Sequence, residues 1–129
     1  MKTVIEPKLQ DSVLQQWRGA YAQIWMFHVS LRRLALRLSR PDEPEVIYIV
    51  AVGCDHIVGP FSWKPANISL ITNSTDDPEW SVSRIVDQEA EFDLCCSSLV
   101  MARGPATDFD KTFDNFLGDV PGISQMTSE

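Results

Sequence analysis

The chain has 129 residues, of which 44% are apolar and 22% charged, and it carries a net charge of −7 at pH 7. That length predicts one domain able to bury a core without disulfide or metal staples, and the composition argues against disorder except at the tips. The negative sign argues against general nucleic-acid binding, which needs Lys and Arg in excess. No apolar run nears the roughly 18 residues of a membrane-spanning helix.

The charge is unevenly laid out. Residues 1–40 hold seven Lys or Arg against two acids, and residues 41–129 hold four against sixteen. The bland account is a basic strand pair beside acidic strands. The functional account is a face for a charged partner. Residues 1–11 show neither an apolar core nor a cleavage pattern of a secretory leader, so a cytoplasmic protein is expected, without membrane association. The three Cys are an odd set, with Cys95 and Cys96 adjacent, so reduced thiols are expected.

Residues 1–16 read as a polar lead-in, with a short helix over 8–16 that puts Leu9, Val13 and Leu14 on one side. A single globular β domain is expected over 17–118. Residues 17–40 fit two templates. Helical spacing through Leu14, Trp17, Tyr21, Ile24, His28 and Leu31 would give one helix of about thirty residues, far above the usual length. Leu34, Leu36 and Leu38 instead alternate with Ala35, Arg37 and Ser39, a period of two with one dry face. Two strands joined near residues 30–32 are therefore predicted. The alternative is an α+β fold with a long N-terminal helix.

Pro41, Asp42, Glu43 and Pro44 make a turn. Residues 45–53 follow as the central strand, apolar on both faces. Gly59-Pro60 is a corner, and residues 67–72 are a short strand. Residues 73–78 form a polar loop. Residues 82–86 and 91–102 read as a hairpin whose second arm alternates Phe92, Leu94, Cys96, Ser98 and Val100. Residues 108–117 predict a short amphipathic helix with Phe109, Phe113, Phe116 and Leu117 on one face, and residues 119–129 a loose polar tail. The expected fold is mainly β, an antiparallel sandwich or small barrel of about six strands with a short C-terminal helix.

Candidate chemistry centres on Cys54-Asp55-His56, at a strand end. Alternation puts Cys54 and His56 on one face. Thiolate and imidazole suit zinc, making these two weak metal candidates, but a third and fourth ligand would have to come from Cys95, Cys96 or His28. A Cys-His nucleophile would need a third group to orient the base. Packing at a strand end is the plainer account. The acids Asp87, Glu89, Glu91 and Asp93 read as a solvated face, with Glu91 and Asp93 as partners for Arg33, Arg37 and Arg40. Phe61 and Trp63 alternate after the corner, where they could plug one end of the fold or line its mouth.

No cofactor is implied, and the sequence names no substrate. The reading that fits best is a non-catalytic binding or protein-interaction domain, with a protein partner or a second copy of itself. One alternative is a small-molecule-binding β-barrel, with ligand-binding residues His56, Phe61, Trp63 and Trp25. The other is a thiol- or zinc-dependent enzyme using Cys54 and His56.

Overall fold

The computed structural model describes residues 3–30, 32–73 and 82–105. Among them the fold is mainly β, with two antiparallel sheets and one helix. The elements in chain order are β1 (Thr3–Ile5), α1 (Pro7–Gln16), β2 (Tyr21–His28), β3 (Arg33–Ser39), β4 (Glu45–Val52) and β5 (His56–Val58). They continue with β6 (Ser62–Trp63), β7 (Ser69–Asn73), β8 (Val82–Asp87), β9 (Phe92–Cys96) and β10 (Ser98–Pro105). The first sheet runs β1-β10-β4-β3-β2-β6 and the second β5-β9-β8-β7. Every pairing is antiparallel.

One core lies between the sheets. Leu34, Leu36 and Leu38 of β3, Ile47, Ile49 and Ala51 of β4 and Met101 of β10 face Ile85, Phe92, Leu94 and Cys96 of the second sheet. Burying each Leu or Ile stabilises the fold by about 1.5–3 kcal/mol. β4 is flanked by β10 and β3, and its outward side chains Val46, Tyr48 and Val50 are buried as well. A strand covered on both faces needs no polar alternation, and its sequence has none.

Helix α1 begins with Pro7 in its first turn, where a missing N–H costs nothing. It buries Gln10 and Leu14 and contacts β7 and β10. Trp17 closes it by donating to the carbonyls of Val13 and Leu14. Residues 3–16 are thus built into the fold rather than leading into it, with β1 paired to β10.

Two features redirect side chains, and both defeat simple alternation. The first is a bulge in β2. Ile24 pairs with Leu36 but Met26 pairs with Ala35, so Trp25 is an extra residue. Facing partners share a side, so Ile24 points inward with Leu36, while beyond the bulge Phe27 points inward with Leu34. The second is a double corner. β4 leaves the first sheet and becomes β5 of the second through residues 53–55. Beside it, β9 of the second sheet becomes β10 of the first through Ser97. Ser97 N–H donates to Val52 O (2.9 Å) and Asp55 N–H to Cys95 O (3.0 Å), which stitches the two corners together. Gly53 turns there at φ 67°, and a Cβ on it would meet Ser97 Oγ at 2.6 Å, so a larger residue would have to displace the Ser97 hydroxyl as well as bear a left-handed backbone.

Several expectations are corrected. The barrel is not closed: β1 and β6 are edges of one sheet, β5 and β7 of the other. The six or so strands become ten among the described residues, because a corner divides the arm over 91–102 and because β1, β5 and β6 form where a lead-in and a corner were expected. Residues 21–39 are two strands, and the N-terminal helix is short, so the long-helix alternative fails. The single arm over 91–102 is split at Ser97, after which Leu99 and Met101, not Ser98 and Val100, face the shared core. The expected helix over 108–117 and the tail over 119–129 lie outside the described residues, as does most of the polar loop over 73–78.

Candidate functional site

The double corner and the β2 bulge converge on a pocket of about 390 Å³. Its walls are Ile24, Phe27, Leu34, Ile57, Phe61 and Leu94, with Cys54, Asp55 and His56 among them. Each wall has a structural origin. Ile24 and Phe27 straddle the bulge, and Leu34 faces them from β3. Ile57 sits opposite Leu94 on the neighbouring strand. Phe61 is held beside β2 by its carbonyl, which accepts the Ile24 N–H at 2.7 Å. Most of this lining is apolar, and the volume lies within the range of roughly 300–1,000 Å³ usual for ligand pockets.

Arg32 fixes the polar side. It stands at φ 52° in the β2–β3 turn, a conformation that costs a non-glycine residue about 1–3 kcal/mol. Its carbonyl accepts the Cys54 N–H at 2.8 Å, and its Nε donates to the Cys54 carbonyl at 2.9 Å. Its Nη2 also reaches Asp55 Oδ1 at 3.4 Å. The hairpin tip and the β4–β5 corner are thereby clasped, and the pocket wall between them is set.

Cys54 is half-buried, and its Sγ donates to Ala51 O at 3.5 Å. Burial pushes its thiol up to about 11, against the opposing effects of a Leu34 backbone hydrogen bond and the Arg32 charge. Burial likewise pushes the Cys96 thiol up to about 12. Both are protonated at neutral pH, the wrong state for a nucleophile. Cys54 and His56 do line one pocket. Among the described residues, however, no group of three or more His, Cys, Asp or Glu is gathered to hold a metal ion. All three Cys are free thiols.

Of the four predicted ligand-binding residues, His56 and Phe61 line the pocket. Trp63 and Trp25 are not brought to it. Trp63 plugs the core. Its ring packs on Phe92 with centroids 4.6 Å apart, and its Nε1–H donates to Asp87 Oδ2 at 2.7 Å. Trp25 lies against Tyr48 on the outer side of the first sheet, with the Arg37 guanidinium 4.3 Å above its ring. Phe27 and Arg32 were missed. The bulge hid the first. The second stood in a run of basic residues with nothing in the sequence to separate it from the rest.

The acids are also redistributed. Asp87 is fully buried, not solvated. It accepts from Trp63, from the Asn67 N–H at 2.7 Å and from the Ala90 N–H at 3.3 Å. Asp93 pairs with Arg84 on the adjacent strand, not with Arg33 or Arg37. That hydrogen bond holds its carboxyl below the usual range. Arg40 pairs instead with Glu43 (3.6 Å).

No protein-family model, no curated protein and no solved structure matches this chain. Among the described residues, no helix is long and apolar enough to cross a membrane.

Proposed function

We propose that this protein is a non-catalytic binding domain, a two-sheet sandwich that receives an apolar group of a protein partner between Phe27, Ile57 and Phe61. One observation carries the reading. Phe61 is 81% exposed at the wall of an apolar pocket, where Phe27 and Ile57 are exposed as well. Contiguous exposed apolar side chains beside a pocket mark an interaction site more often than scattered ones do. The protonated Cys54 thiol supports binding over nucleophilic chemistry. The acidic net charge favours a basic partner, whose approach it would speed.

The test is methyl NMR of the protein with a library of small aliphatic and aromatic fragments. Saturable shifts confined to the methyls of Ile24, Leu34, Ile57 and Leu94 are expected, and their loss in Phe61→Asp. If no fragment moves these methyls, the proposal fails. A second reading, a small-molecule-binding protein, is favoured by the pocket volume. It predicts a stoichiometric small molecule in organic extracts of protein purified from its native host, read by mass spectrometry.

A further inference from the structure

We propose that the partner is an extended peptide segment that pairs with the free edge of β5 and places one apolar side chain in the pocket, with Lys or Arg at its ends. The inference rests on the binding reading above and adds the partner's backbone and charge.

β5 is the outermost strand of its sheet and pairs only with β9 among the described residues. Its three residues are all exposed, and Ile57 lines the pocket. Among the described residues nothing pairs with this edge, and the pocket lies beside it. A strand with an open edge offers backbone N–H and C=O groups to another strand. Proteins usually guard such edges with Lys, Pro, a bulge or shortness. Within β5 only the last guard is present: its sequence is His56-Ile57-Val58, and it is three residues long.

That shortness sets the size of the partner. Gly59 turns away at φ 138°, pressed so close to Phe92 that a Cβ would stand 2.9 Å from the Phe92 Cα. The edge ends there, leaving room for three or four paired residues. Alternation in the added strand would send one side chain toward Ile57 and Phe61 and its two neighbours to the opposite face. Backbone pairing would supply affinity, and the pocket would select the side chain.

Charge marks both ends of this edge. Asp55 precedes it, with a side chain 81% exposed and only partly engaged by Arg32 at 3.4 Å. Beyond Val58, the backbone carbonyl of Glu91 lies 3.2 Å from the Cβ position of Gly59, so an exposed acidic residue stands at the far end too. A basic residue at either end of the peptide would meet an acid.

The experiment selects from a library of acetylated hexapeptides with Lys at both ends and four randomised positions, using the full chain as bait. Enriched peptides are then tested by amide hydrogen exchange. The expected result is an enriched apolar position, about tenfold slower exchange at the β5 amides that point away from β9, and affinity lowered about tenfold by backbone N-methylation on alternate residues. Replacing the terminal Lys by Glu should weaken binding at low salt and matter less at high salt. Enriched peptides that tolerate N-methylation and leave β5 exchange unchanged would overturn strand addition while leaving the pocket intact as a binding site. So would fragments that bind the pocket when no peptide is enriched. A concentration-dependent dimer that protects β5 without peptide would assign the edge to a second copy and overturn the proposal. If neither peptides nor fragments bind, the pocket reading falls with it.

Discussion

Phe61 and Trp63 stand one residue apart, yet one is held in the open and the other is built into the core. The difference lies in what each meets across the gap between the sheets. Trp63 meets Phe92 and a buried carboxylate that takes its indole N–H. Phe61 has no such seat. Its backbone is pinned to β2, while the side chain stands over a pocket. An aromatic ring becomes a plug when both its face and its polar atom are satisfied, and otherwise remains surface. Sequence alternation, which treats the two positions alike, does not separate these fates.

The comparison can be broken most forcefully at Asp87. Asp87→Ala should cost roughly 3–5 kcal/mol, because it strands the N–H groups of Trp63, Asn67 and Ala90 together. Urea unfolding would measure this, and a loss under about 1 kcal/mol would show that the Trp63 end is not held by the carboxylate. Next comes Arg32→Ala, which removes the clasp on Cys54 and Asp55 at a cost of about 1 kcal/mol. Faster amide exchange at Cys54 and Asp55, with Trp63 fluorescence unchanged, is the expected pattern.

A further effect is expected at alkaline pH. The Cys54 thiol is raised to about 11 in the folded state from an ordinary value of 9.0. Its contribution to stability is therefore complete below pH 9 and declines as the pH rises toward 11. At pH 8 about one thiol in a thousand is ionised. Ellman's reagent should thus label Cys54 in the native protein far more slowly than an ordinary exposed thiol, and rapid labelling would reopen the thiol-enzyme reading. The smallest effect falls on the open side. Phe61→Ala should change stability by less than about 0.5 kcal/mol, while the fragment shifts in the pocket disappear.

Much of the fold was legible because burial wrote it plainly. The Leu34-Leu36-Leu38 alternation separated strands from helix, and the unbroken apolar run of β4 marked the strand with both faces covered. The adjacent thiols divided as a strand requires, with Cys96 buried and Cys95 less so. The site was half legible. His56 and Phe61 could be picked out as chemistry and bulk at a corner. Phe27 could not, because its inward direction depends on an extra residue two positions earlier. Asp87 was misread for a related reason. Its partners come from residues 63 and 67, about twenty positions away, and nothing local distinguishes a carboxylate that will be enclosed from one that will stay wet.

The bulge at Trp25 has one more consequence. β2 is held at both ends, by Ala22 against Trp63 and by His28 against Arg33. Between those anchors the chain carries one residue more than the ladder requires. Removing Trp25 would leave Ile24 opposite Leu36 and Met26 opposite Ala35, with every remaining side chain on its present face. The strand thus holds a spare length of backbone at a single known place, where a shortened chain could keep the same pocket.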